Sequence, residues 1–175
     1  IPAIINDASD DLIEFYTCVA NGDKSFSLIL EQIKYSWSAL EIFVERHHKK
    51  LTRLYKDYSQ EKISESELKK DIAIFVDSCS EELNKLASSD FYYDNSNFNK
   101  EVRKNLASKI MRMNKIEQDR GELPLSDIIK NIEGALKSSF YMHLRHLYNH
   151  PKEYQIPASR HSAFFYFIRE YAYAS

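Results

Sequence analysis

From Phe26 to Tyr58, apolar or ring-bearing side chains recur in alternating steps of four and three. They are Phe26, Leu30, Ile33, Trp37, Leu40, Val44, His47, Leu51, Leu54 and Tyr58. Only a helix gathers such positions onto one face, and the alternation is that of a coiled-coil seam. Ile29, Ile42 and Phe43 lie off the seam. A helix apolar on more than one side is expected to pack against neighbours in its own chain rather than to offer a single dimer stripe. The chain has only three glycines and four prolines among 175 residues. So few turn-formers imply long helices and few connections. The expected fold class is mainly α, a multi-helix bundle with at most one short N-terminal strand.

The helices can be placed by their caps and stripes. Ser9 is a suitable N-cap for a helix over about 9–20, with Asp10 and Asp11 in its first turn, where carboxylates meet the positive end of the dipole. Asn21-Gly22-Asp23 is the turn that follows, Gly22 suiting the left-handed position after a helix. Ser64 or Ser66 can cap the next helix, with Glu67 near the N3 position for a Ser64 cap, and that helix carries Leu68, Ile72, Phe75, Cys79, Leu83 and Leu86. Residues 88–99 read as a loop containing Phe91-Tyr92-Tyr93, expected to cover part of the core. Asn97 or Asn99 is expected to start the next helix, with Val102, Leu106, Ile110, Met113 and Ile116 on one side. Ser126 is expected to cap a helix carrying Ile128, Ile132, Leu136, Phe140, His143 and Leu147. Pro151 should stop it, and Pro157 suits the first turn of the last helix.

Charge is unevenly distributed. Residues 1–99 carry 11 basic and 18 acidic side chains, a net of −7, whereas residues 100–175 carry 13 and 8, a net of +5. Over 100–116 six basic residues, Lys100, Arg103, Lys104, Lys109, Arg112 and Lys115, meet a single acid. That helix is the most plausible phosphate-facing element. The other reading is an ordinary solvated face. Two cysteines, Cys18 and Cys79, do not make a disulfide scaffold, and a reduced intracellular setting is the default. No apolar run approaches the roughly 20 residues that a membrane helix needs. His143, His146 and His150 fall on one helical face at i, i+3, i+7. They could ligate a metal, but packing and surface roles are the expectation, and no metal ligand is assigned. His47 is expected to be a boundary group with one hydrogen bond. The sequence holds no Gly-x-Ser-x-Gly elbow, phosphate loop or His-Glu-x-x-His pair.

The two ends carry the most specific signal. Ile1-Pro2-Ala3-Ile4-Ile5 reads as a short apolar strand, stopped by Asn6-Asp7 and followed by the helix containing Leu12-Ile13-Glu14-Phe15-Tyr16. An acid at a strand tip, just before a helix, is how open α/β enzymes hold ribose hydroxyls; a capping turn without a ligand has the same pattern. The last stretch is Ala163-Phe164-Phe165-Tyr166-Phe167-Ile168-Arg169-Glu170-Tyr171-Ala172-Tyr173-Ala174-Ser175. Together these ends resemble the Dam-type DNA adenine methyltransferases, in which an acidic turn precedes a Leu-Ile-x-x-Tyr helix and an aromatic helix ends in Tyr-x-Tyr-small-small. The resemblance covers about 30 residues, and the long middle does not share it.

The resemblance implies a piece of an α/β Rossmann-like methyltransferase that uses S-adenosylmethionine and acts on double-stranded DNA in the bacterial cytoplasm. Residues 1–22 would be a strand–turn–helix piece of the cofactor domain. Residues 23–162 would be a helical insertion for target recognition, and 163–175 a helix leading into a DNA-contacting loop. Asp7 would accept hydrogen bonds from the cofactor ribose, and Ala8 would lie against its adenine. Lys104, Arg112, Lys115, Arg160 and Arg169 are the candidate DNA contacts. The family's Phe-x-Gly-x-Gly loop and its Asp-Pro-Pro-Tyr motif are both absent from these 175 residues. The chain starts with Ile1 and ends inside an aromatic helical pattern. A fragment that is not catalytic alone is therefore expected. The competing reading is a helical interaction module that binds a partner through the 26–58 seam.

Overall fold

The computed structural model describes residues 9–86 and 94–171, and among them it contains seven helices and no strand. They are α1 (Asp10–Ala20), α2 (Lys24–Ser59), α3 (Glu65–Ser78), α4 (Ser80–Leu86), α5 (Asn95–Arg120), α6 (Leu125–Asn149) and α7 (Ala158–Tyr171). The strand expected at 1–6, the acid Asp7 with Ala8, and Phe91-Tyr92-Tyr93 lie outside the described residues. None of the described helices is long and apolar enough to cross a membrane.

Local chemistry explains most of the boundaries. The Ser9 side chain accepts from the Leu12 N–H, as its N-cap position requires. Asn21 caps α1, and Gly22 takes φ +59°, which costs glycine nothing sterically. Asp23 then caps α2 by accepting from the N–H groups of Ser25 at 2.8 Å and Phe26 at 3.1 Å. Ser64 and Glu67 form a reciprocal capping box at α3. Hydrogen bonds from the backbone and hydroxyl of Ser64 hold the Glu67 carboxyl below the usual carboxylate range.

Four expected boundaries are corrected. The helix read as continuous through Cys79 breaks there. Cys79 takes φ −109°, ψ 7°, and the chain restarts as α4 at Ser80. The apolar stripe nonetheless runs through the break, with Phe75, Cys79 and Leu83 all buried. Helix α5 begins before Asn97 and Asn99, because Asp94 accepts from the Asn97 N–H at 2.9 Å and captures the cap. Asp94→Ala should cost about 1 kcal/mol of stability, measurable as a lower denaturant midpoint at unchanged m-value. Finally, Ser126 sits inside the first turn of α6 rather than capping it; the Pro124 carbonyl accepts from the Asp127 and Ile128 N–H groups. Likewise Pro157 precedes α7, its carbonyl accepting from Arg160 and His161.

The chain divides into two compact units. One gathers residues 9–35 and 144–171, in which α1 packs on α7. Its aromatic centre is Phe15, with ring centroids 5.8 Å from Phe26, 6.2 Å from Phe165 and 5.5 Å from Tyr166, the last stacked at 7°. The other unit spans 36–143, in which α3 packs on α5 and α4 touches both. Phe43 meets Phe75, and Phe140 lies between Trp37 and Phe98 at 6.4 Å from each ring. Leu51, Leu68, Ile72, Val102, Leu106 and Leu136 in this unit are wholly buried. Along α2, the seam residues Phe26, Ile33, Leu40, Val44 and Leu51 are buried, as are Ile29 and Phe43 beside them. The seam is thus spent on intrachain packing.

Candidate functional site

On helix α5, Lys104, Arg112 and Lys115 lie away from the buried stripe, whereas Arg103 and Lys109 are half-buried beside it. Val102, Leu106, Ile110 and Met113 face inward, whereas Lys104, Arg112 and Lys115 are exposed. Their spacing of eight and three residues puts the three cations along one face of the helix. This face continues into a groove of about 420 Å³ beside α3, lined by Lys69, Lys100, Arg103, Lys104, Ser108 and Met111. Three of the cations have carboxylate neighbours: Lys69 pairs with Glu65, Arg103 with Asp77, and Lys104 with Glu101 at 3.8 Å. The Lys69 and Arg103 pairs, exposed on both sides, are worth about 0–1 kcal/mol, so a phosphate can compete for those two cations. The groove thus holds four cations, three of them paired with carboxylates.

The other two expected DNA contacts are not on this face. Arg160 and Arg169 belong to α7, in the other compact unit, Arg160 half-buried and Arg169 exposed. The structure therefore groups Lys104, Arg112 and Lys115 on one helix and leaves Arg160 and Arg169 on another.

Of the histidines spaced along α6, His146 and His150 lie with ring centroids 4.4 Å apart, and His143 packs elsewhere. His143 is buried, 3.3 Å from Asn97 Nδ2, with its ring against Phe98. His146 Nε2 lies 3.0 Å from the Tyr154 hydroxyl, and His150 Nδ1 lies 2.8 Å from the carbonyl of His146. Each packs or bonds locally.

Two other sets of potential metal-ligating side chains do converge, and neither was legible as a spacing. His47, Cys79 and Glu82 come from α2, the α3–α4 break and α4. Here both Glu82 oxygens are engaged, one by Arg46 and the other by His47 Nε2 at 2.8 Å, so the set is satisfied without an ion. Asp11, Glu14 and His161 come from α1 and α7. Their members lie up to 150 positions apart in sequence, beyond the reach of any local motif.

No family model matches the chain, and no curated protein or solved structure matches it. The residues and their geometry therefore carry the functional reading.

Proposed function

We propose that this chain is part of a Dam-type DNA adenine methyltransferase of the restriction–modification or orphan kind. It would supply a helical DNA-recognition region and one side of the cofactor pocket. The observation that carries this reading is the packing of α1 on α7. The Leu12–Tyr16 and Ala163–Tyr171 stretches bear the sequence resemblance and are about 150 residues apart, yet Phe15 stacks on Tyr166 within one compact unit. Residues 36–143 fold as a unit of their own between them in sequence, as an insertion into a methyltransferase scaffold would.

When bound, S-adenosylmethionine would supply the sulfonium methyl group that goes to the N6 amine of a flipped-out adenine. That chemistry needs the amine lone pair held in line with the methyl group, which is the task of motifs absent from these 175 residues. This chain's share is binding: Asp7 for the ribose hydroxyls, Ala8 for the adenine, and the α5 face for phosphates. Ser9 caps α1, as this reading expects of the helix that follows Asp7 and Ala8 in sequence. The alternative of a partner-binding seam is weakened by the burial of Ile33, Leu40, Val44 and Leu51.

The test is duplex DNA binding by the 175-residue chain as a function of salt. If Lys104, Arg112 and Lys115 each neutralise one phosphate, the log–log slope should be about −3. Each substitution to alanine should flatten it by about one. A slope near zero would remove the DNA-facing role. In the parent gene, a Phe-x-Gly-x-Gly motif encoded before Ile1 and Asp-Pro-Pro-Tyr after Ser175 are expected.

A further inference from the structure

His161 of α7 faces two carboxylates of α1, and its hydrogen bonding leaves that encounter chemically incomplete. Its Nε2 lies 3.2 Å from the backbone carbonyl oxygen of Tyr148. A carbonyl can only accept, so this ring nitrogen carries the proton. In the neutral ring Nδ1 then has only its lone pair, and it faces Asp11 Oδ1 at 3.7 Å and Glu14 Oε2 at 3.6 Å. In that tautomer three acceptors converge, whereas a protonated ring would pair with both carboxylates at ion-pair distance. The separations exceed those of a hydrogen bond, so a proton on Nδ1 would serve neither carboxylate well. They suit donors that share one ion: two ligands each about 2.1 Å from a tetrahedral zinc lie about 3.4 Å apart.

The surroundings orient the set as a metal centre requires. A ligating histidine commonly donates its other N–H to a backbone carbonyl, which fixes the tautomer and the ring plane. Here the Tyr148 carbonyl takes that role. The Tyr148 ring also stacks on His161, with centroids 4.6 Å apart and planes 12° from parallel, and its hydroxyl donates to Asp11 Oδ2. Asp11 is thus held through one oxygen while the other points to His161. His161 is largely covered, at 16% exposure, while the two carboxylates are 37% and 40% exposed. An ion here would keep coordination positions open to solvent.

We propose that Asp11, Glu14 and His161 form a binding site for a divalent transition metal ion of the zinc class, which clips α1 to α7. Imidazole with two carboxylates suits zinc and its neighbours. The second set, His47–Cys79–Glu82, is the natural competitor, but there Arg46 pairs with one Glu82 oxygen and His47 Nε2 lies 2.8 Å from the other. The inference does not depend on the methyltransferase reading, because it uses only side chains of α1, α6 and α7.

The test is calorimetric titration of the metal-stripped 175-residue chain with zinc chloride, alongside Glu14→Gln and Asp11→Asn. Glu14→Gln keeps the side-chain shape and both Tyr148 hydrogen bonds, so the fold is preserved. One zinc per chain is expected, with affinity reduced by about tenfold or more in each variant. Zinc should raise the thermal midpoint of the wild type and do so much less in Glu14→Gln. Cobalt substitution should show no thiolate charge-transfer band. Three results would each overturn the proposal: no zinc binding by the wild type, equal binding by Glu14→Gln, or a thiolate–cobalt band that places the ion at Cys79.

Discussion

Phe140→Ala should lower the unfolding free energy by about 3–5 kcal/mol, the usual cost of emptying an aromatic side chain from a packed core. Phe140 is completely buried, with Trp37 of α2 on one side and Phe98 of α5 on the other. Truncation removes both ring contacts and opens a cavity that three helices would have to shift to close. A domain typically has about 5–15 kcal/mol in total, so this single change consumes a large part of it. Chemical denaturation followed by circular dichroism should show the midpoint falling sharply. Ile42→Ala, at a position 55% exposed on α2, should stay within about 0.5 kcal/mol. Equal effects at the two positions would mean that Phe140 is not part of the core.

Lys137→Ala should cost about 1–2 kcal/mol, a buried-pair loss discounted for the exposure of its partners. The ammonium lies 2.5 Å from Glu41 and 2.6 Å from Glu133, with the Trp37 ring 5.3 Å away, and is only 18% exposed. Alanine would leave two carboxylates facing each other without a cation. Burial opposes the charge on Lys137, but the hydrogen bonds and attraction from Glu133 and Glu41 outweigh it and raise the pKa above the usual lysine value of 10.5. A raised pKa means that the folded state holds the proton more tightly. Its stabilisation is complete below 10.5 and is lost as pH rises through the folded value. Wild type and Lys137→Ala should therefore differ by a constant amount at neutral pH and converge in alkali. A Glu41→Gln/Lys137→Ala double-mutant cycle isolates the pair; a coupling of zero would mean that the contact contributes nothing.

Periodicity and capping chemistry made the helical architecture readable before any coordinates. The four–three alternation from Phe26 to Tyr58 could bury itself only as a helix, and the structure runs α2 unbroken over Lys24–Ser59. Ser9, Gly22 and Ser64 stand at the ends that their side chains or backbone freedom favour. These are short-range effects, complete within four residues, so a linear reading captures them. Where two short-range signals competed, the reading slipped. Asp94 outranks Asn97 as the cap of α5, and an apolar stripe at helical spacing masked the break at Cys79. The stripe survives that break because a small change at one residue keeps Leu83 pointing inward.

The charged face of α5 was equally legible, since one helix carries Lys104, Arg112 and Lys115 at spacings that share a side. Pro157 already put Arg160 and Arg169 on the last helix, but no local rule could say that α7 belongs to the other compact unit. The meeting of Asp11 and Glu14 with His161, and of His47 with Cys79 and Glu82, was invisible for the same reason. Sequence by itself determined where the helices run and which sides are apolar or basic, because those properties are set by neighbours three and four positions away. Tertiary structure alone decided which helices meet, and hence which carboxylates share a histidine, because that depends on burying apolar faces between residues more than a hundred positions apart.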